Sequence, residues 1–294
     1  YFLLIPGILK AIREERNFLK RLVKTHQLQG VISDNRLGLY NAEIPSVIIT
    51  HQLKVFSGLT TCLSTWLHRR YIAKYDYCWV PDIDAEQSLA GKLSKSTFLN
   101  PKIRYIGPLS RLKKRFPSEV KYAYLVLLSG PEPQRSMLED ILMAELLRID
   151  TDQKVLFVRG VIEETQKFHK IKNIKVYNYL NSEGLEKAMS QSKVVISRSG
   201  YTTIMDLSKL GKKAFFIPTP GQYEQEYLAD FLTKTGRVPS CSQDKFTLER
   251  LSQLKDYSGL DDTVFSASEF AAFFTEAFSN VKENSEPLPS SLST

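Results

Sequence analysis

The stretch Val194-Val-Ile-Ser-Arg-Ser-Gly-Tyr-Thr-Thr-Ile-Met-Asp-Leu-Ser-Lys-Leu-Gly211 decides how the chain folds. Val194–Ser197 is the short, β-branched run expected of a strand buried on both faces. It passes through Arg198, Ser199 and Gly200 straight into a helix over Tyr201–Leu210, with Thr202 and Thr203 in the first turn. A strand feeding a helix with so short a turn is one βα unit of a parallel sheet. Its turn also carries chemistry: a helix start offers unpaired backbone N–H groups and a positive dipole end to a phosphate, and Gly200 lets a ligand approach closely. Asp206 lies further along the same helix, where a carboxylate accepts hydrogen bonds from two vicinal ribose hydroxyls. The plainer reading, in which Ser199 or Thr202 caps the helix and Asp206 is solvated, fits the residues equally well.

The same pattern continues on either side. Ala214–Ile217 is a strand, followed by the polar loop Pro218-Thr-Pro-Gly-Gln-Tyr-Glu-Gln225-Glu226 and a helix over Gln225–Thr235. Upstream, Ala123–Leu128 is a strand that ends in Ser129-Gly130-Pro-Glu-Pro-Gln-Arg135, where Ser129 and Gly130 are placed to meet a phosphate and Arg135 to supply charge. Between these lie a helix over Gln134–Arg148, strands at Lys154–Arg159 and Ile174–Tyr177, and a helix over Ser182–Ser190. Polar loops at successive strand ends of one domain point to a nucleotide. The first third repeats the alternation: a helix over 8–27, strands at Gly30–Asp34, Ser46–Thr50, Tyr77–Asp82 and Arg104–Pro108, and a helix over Thr60–Lys74. The predicted fold is α/β, two doubly wound Rossmann-like domains facing a cleft that is the default active site. The first spans 1–108, the charged run 109–121 is the linker, the second spans 122–262, 263–280 holds a terminal helix and 281–294 is a polar tail.

Composition narrows the function. With 294 residues, 43% of them hydrophobic, and a net charge of +8, the chain is neither collagenous, disordered nor a disulfide scaffold. No stretch reaches the roughly 18 apolar residues that span a bilayer. Cys62, Cys78 and Cys241 are odd in number and share no metal-ligand spacing with His26, His51, His68 or His169, so the expected setting is the reducing cytoplasm and no metal site is expected. The charge calls for an anionic partner. Nucleic acid is set aside because no helix-turn-helix, RNP or zinc pattern occurs, and the strand-end loops favour a phosphorylated small molecule. Arg69-Arg70 and Lys113-Lys114-Arg115 suit an anionic membrane at the inner face, and Leu3, Ile5, Ile8 and Ile12 an apolar docking stripe, although solvation and core packing are the plainer readings. Because position 1 is Tyr, an amino-terminal segment ahead of this numbering is expected.

Ser197-Arg-Ser-Gly through Asp206 and Gly211, Phe216-Ile-Pro218 and Gln225-Glu226-Tyr227 resemble the carboxyl-terminal domain of the UDP-sugar transferases typified by the N-acetylglucosaminyltransferase that completes lipid II. That family has the two-domain GT-B fold. The resemblance implies that Arg198, Ser199, Gly200 and Thr202 lie at the donor, that Asp206 binds its ribose and that Gln225 binds its sugar. Glu226 stands where the family carries a second Gln, and Asp206 where Glu is usual. More loosely, Ile32–Arg36 and Ile44–Gln52 look like the acceptor-side strands, with His51 and Gln52 in the loop near the acceptor. The family's first strand and its Gly-rich, His-bearing loop have no counterpart in the numbering, which matches the expected missing segment.

The activity implied is transfer of a sugar, an N-acetylhexosamine, from a UDP-sugar to a lipid-linked or glycan acceptor, inverting and without metal or cofactor. Such a reaction needs stabilisation of the departing diphosphate and a base for the acceptor hydroxyl. Asp34 and His51, at strand ends of the acceptor-side domain, are the candidates for the base, with the missing segment as another source. The alternatives are a UDP-sugar epimerase or hydrolase on the same fold, which calls for more acidic and His groups at the sugar, and a non-catalytic nucleotide-sugar-binding protein.

Overall fold

The computed structural model describes residues 5–84, 88–95, 102–114, 119–261 and 267–279. The polar tail 281–294, Leu3 of the apolar stripe and Arg115 of the basic run lie outside them. The first half runs α1 (Ile5–His26), β1 (Val31–Asp34), β2 (Ser46–Ile49), α2 (Thr61–Ile72), β3 (Tyr77–Val80) and β4 (Lys102–Tyr105). Its strands form one parallel sheet in the order β1-β2-β3-β4. The second half holds β5 (Tyr122–Leu127), α3 (Gln134–Leu146), β6 (Val155–Val158), β7 (Phe168–Ile171), β8 (Ile174–Tyr177), α4 (Ser182–Ser190), β9 (Ser192–Ser197), α5 (Tyr201–Leu210), β10 (Lys213–Phe216) and α6 (Tyr223–Lys234). A 3-10 run at Leu248–Asp256 and α7 (Ala267–Phe278) complete it.

The second sheet is ordered β10-β9-β5-β6-β8-β7 and is parallel except for the β7–β8 hairpin. Alternation along each strand assigns its residues to opposite faces. Leu125, Val195, Ala214 and Phe216 pack with Met189, Ile204, Leu207 and Leu228 of α4, α5 and α6. Val126, Ile196, Phe215 and Ile217 pack on the other face with Leu138, Leu142 and Leu146 of α3 and with Leu251 and Leu254. Each such side chain, fully buried, contributes about 1.5–3 kcal/mol. The hairpin strand β7 escaped the sequence reading because Phe168, His169 and Lys170 are exposed and show no buried pattern. It forms because Lys172 takes the left-handed conformation (φ 52°) and turns the chain back.

The first sheet is covered from both ends of the chain. Ile48, Cys78 and Val80 pack with Ile72 and Tyr75 on one face. On the other, Val47, Trp79 and Ile106 pack with Ala277 of α7. Glu276 of α7 also grips Arg104 of β4 through two hydrogen bonds, 2.9 and 2.6 Å. The two halves meet along the loop 88–93, where Leu89, Ala90 and Leu93 join the apolar cluster of the second sheet. Tyr227 of α6 stacks on Phe56 (4.4 Å between centroids) and accepts a hydrogen bond from the Lys92 N–H (2.7 Å).

Candidate active site between the two sheets

The order of the second sheet fixes where a ligand can lie. The chain leaves β5 toward β6 and β8, then returns to β9 on the opposite side of β5. A reversal of this kind opens a crevice beyond the carboxyl ends of β5 and β9. The register Leu127↔Ser197↔Phe216 sets the loops after β5, β9 and β10 side by side. They face the carboxyl ends of β1, β2 and β3. Asp34, Asn35, Thr50, His51 and Pro81 from the first half and Tyr201, Thr202 and Met205 from α5 line a cleft of about 400 Å³ between the sheets. The predicted Asp34, His51 and Thr202 are therefore brought together.

The amino end of α5 is open. Gly200 precedes it with ordinary dihedrals (φ −70°, ψ 144°), no side chain caps it and its first turn holds no acid. A Cβ on Gly200 would meet nothing nearer than Thr203 Oγ1 at 3.9 Å, so the absent side chain leaves space in front of the helix. The first backbone N–H groups and the positive end of the dipole point into that space. Gly211, in the left-handed conformation at φ 61°, closes the far end.

Several residues expected at the donor have other tasks. Arg198, 2% exposed, donates to the carbonyl oxygens of Ile217 and Pro218 (both 3.1 Å), to Gln134 O (2.8 Å) and to Gln243 Oε1 (2.7 Å). It ties the three loops together from beneath instead of reaching into the cleft, and burial lowers its pKa to about 10. Arg135 is likewise enclosed: its guanidinium pairs with Glu132 and with Glu139 (2.7 Å) and donates to Arg159 O (3.1 Å). Both corrections have one physical cause, since a buried guanidinium turns its donors to the nearest carbonyls and carboxylates; of the Arg198 nitrogens only Nε finds no partner among the described residues. Ser199 is fully buried and its hydroxyl donates to Gln225 O (2.7 Å), so it ties the β9–α5 turn to the first turn of α6 and does not cap α5.

The remaining expected residues lie on the loop after β5 and on α5 and α6, outside the lining of the cleft. Ser129 and Gly130 are exposed after β5, with Gly130 at φ 103°. Asp206 is buried, and its Oδ1 accepts from Ser110 Oγ at 2.5 Å. Burial raises the Asp206 pKa against the opposing pull of Ser110 and Arg111. Gln225 Oε1 accepts from the Thr219 N–H (2.9 Å) and its Nε2 donates to Gln222 (2.7 Å), while Glu226 accepts from the Gly221 N–H (2.9 Å). These two side chains shape the 217–226 loop.

Residues not singled out from the sequence complete the cleft. Glu224 reaches across it: Oε1 lies 3.3 Å from His51 Nε2, and Oε2 accepts from Gln52 Nε2 at 2.7 Å. Burial acts to raise the Glu224 pKa, but the His51 and Gln52 hydrogen bonds and the His51 charge bring it below the ordinary value. The His51 ring stacks on Tyr201 at 3.7 Å between centroids and 10° between planes, and the Tyr201 hydroxyl donates to Pro81 O. Asp82 is wholly buried and accepts from Ser88 Oγ (2.7 Å), the Leu89 N–H (2.8 Å) and Ser94 Oγ, which sets the interdomain loop. An acid at the first turn of a helix reads from sequence as a dipole partner, so nothing local marked Glu224.

The sequence profile of the glycosyltransferase family 28 C-terminal domain matches residues 134–279. The chain carries a family 28 carboxyl-terminal domain. It is 35% identical over 71 residues to a UDP-N-acetylglucosamine–N-acetylmuramyl-(pentapeptide) pyrophosphoryl-undecaprenol N-acetylglucosamine transferase of Rhodopseudomonas palustris, an alignment covering 24% of this chain and 19% of that one. The chain thus matches about a fifth of the length of that relative. The fold is shared with Acinetobacter baumannii MurG (TM-score 0.50, 18% identity, 84% of this chain and 68% of that one). It is shared too with a UDP-GlcNAc 2-epimerase from Neisseria meningitidis bound to UDP-GlcNAc (TM-score 0.59, 10% identity, 93% and 82%). Two parallel-sheet domains around a cleft are the GT-B arrangement. The family 28 segment holds α5, Asp206, Gln225 and Glu226, whereas Ser129 and Gly130 precede it.

Proposed function

We propose that this protein is a glycosyltransferase that moves an N-acetylhexosamine from a UDP-sugar to a hydroxyl of a lipid-linked or glycan acceptor, with inversion and without a metal. The observation that carries this reading is the uncapped, acid-free amino end of α5, which opens at the strand-order reversal directly opposite Asp34 and His51. A diphosphate set there meets backbone N–H groups and the helix dipole, which stabilise the charge that grows on it as the sugar departs. The exposed Ser129-Gly130 turn adds backbone donors on the β5 side. Asp206 offers the ribose the oxygen that Ser110 leaves free, and the loop shaped by Gln225 and Glu226 adjoins the sugar. Asp34 and His51 face the acceptor side, where a hydroxyl must lose its proton.

The acceptor domain suits a peripheral position on an anionic membrane at the cytoplasmic face. Ile8, Leu9, Leu63 and Trp66 are exposed on α1 and α2, and Arg70 stacks on Trp66 at 5.5 Å. Among the described residues no helix is long and apolar enough to cross a membrane.

Titration calorimetry with UDP and UDP-N-acetylglucosamine tests the reading, with saturable binding of both as the expected result. If no nucleotide binds, the proposal is overturned. Product analysis then separates transfer from its neighbours on this fold: a transferase supplied with a hydroxyl acceptor yields a new glycoside and UDP, a hydrolase yields only UDP and the free sugar, and an epimerase returns the 2-epimer.

A further inference from the structure

His51 and Glu224 come from opposite halves of the molecule, and their geometry is fixed on every side. The His51 ring plane is set by the stack on Tyr201. Its Nε2 lies against Glu224 Oε1, and the second carboxylate oxygen is held by Gln52, so the carboxylate cannot rotate away. Asp34, on the same cleft, is exposed and makes no side-chain hydrogen bond to any described residue. We propose that Glu224 is the positioning residue for His51 as the base: it accepts the Nε2 hydrogen, turns Nδ1 toward the acceptor hydroxyl, and completes the base only when the two domains are closed together.

This rests on the glycosyltransferase reading above. An ionised carboxylate at Nε2 selects the neutral tautomer protonated there, which leaves Nδ1 as an acceptor. In the step, Nδ1 takes the proton of the acceptor O–H. The oxygen's electron pair forms the new bond to the anomeric carbon. The bond from that carbon to the diphosphate breaks with its pair on the UDP oxygen at the amino end of α5. The imidazolium then yields its proton to water, so the products are glycoside, UDP and one proton. Glu224 takes no proton and stabilises the imidazolium by charge, as a carboxylate does behind any histidine base. The groups facing His51 are Glu224 from α6, Tyr201 from α5, Asp34 from β1 and His68 from α2. Burial lowers the His68 pKa to about 4, so it stays uncharged and adds no competing charge at neutral pH.

The test follows UDP release from UDP-N-acetylglucosamine with water as acceptor, UDP affinity by calorimetry, and the pH titration of the His51 imidazole by NMR. Glu224→Gln is expected to lower kcat by about 100-fold, with UDP affinity kept within about twofold because the diphosphate site on α5 is untouched. The acid limb of the rate profile and the His51 midpoint should both move to lower pH, since the stabilising negative charge is gone. His51→Asn should lose roughly 100- to 10,000-fold, and adding Glu224→Gln to it should cost nothing more, because the two act as a unit. An unmoved His51 midpoint, an unchanged kcat in Glu224→Gln, or a loss confined to UDP affinity overturns the pairing while the transferase reading stands. A wild-type protein that binds UDP but releases none from the sugar nucleotide, with water, glycan or lipid-linked acceptors supplied, overturns the transferase reading and the assignment of a base with it.

Discussion

The amino ends of α5 and α6 open on the same cleft from neighbouring strand ends, yet they are furnished in opposite ways. At α5 there is no acid in the first turn and no capping side chain. At α6 the first turn holds Glu224 and Glu226, and Glu226 accepts from the Gly221 N–H at 2.9 Å. One helix keeps its positive pole exposed, and the other neutralises it with its own carboxylates. The difference assigns their partners: the bare pole suits an anion that arrives from solution, and the acidic one holds the opposite half of the molecule through His51 and Gln52.

The contrast depends on loops held in place by Arg198, and the largest expected effect comes from removing it. Arg198→Met leaves Ile217 O, Pro218 O, Gln134 O and Gln243 Oε1 without their donor. Urea unfolding should show a loss of about 3–5 kcal/mol, and a loss under about 1 kcal/mol would mean the loops hold themselves. Next comes Gly200→Asp, which makes α5 resemble α6. An aspartate is a favoured cap at these dihedrals, so thermal stability should hold or rise by up to about 1 kcal/mol, while UDP affinity should fall by about 100-fold as a carboxylate takes the anion's place. Undiminished UDP binding in that variant would place the diphosphate elsewhere.

The smallest effect concerns Asp206. Burial sets its folded pKa above the unfolded value, so the ionised form is the costly one in the fold. Below the ordinary aspartate range, Asp206→Asn and the wild type should be equally stable. As pH rises through the interval up to the raised folded value, the wild type should fall behind, and the gap should then stay level. A wild type that gains on the variant as pH rises would show that Ser110 and Arg111 outweigh burial.

Much of this architecture was legible because burial on both faces leaves a local mark. Val155–Val158 is apolar at every position, and the strand-turn-helix at Val194–Leu210 needs no distant information. The bare end of α5 was legible for the same reason. Side-chain destinations were not. A basic residue in a polar loop looks alike whether it meets a phosphate or a ring of carbonyls, and Arg198 is settled by Gln243, 45 residues on. Glu224 is settled by His51, 173 residues away. The edge strand β7 was missed because an exposed strand carries no apolar alternation.

The helix α7 has a mechanical consequence. The chain passes from the first sheet to the second between β4 and β5, and α7 brings it back to cover Trp79 and hold Arg104. Two strands of covalent chain therefore join the lobes at separate points, as two pins join a door to its frame. Because His51 and Glu224 sit on facing lobes, how those two joins set one lobe against the other fixes the distance between them.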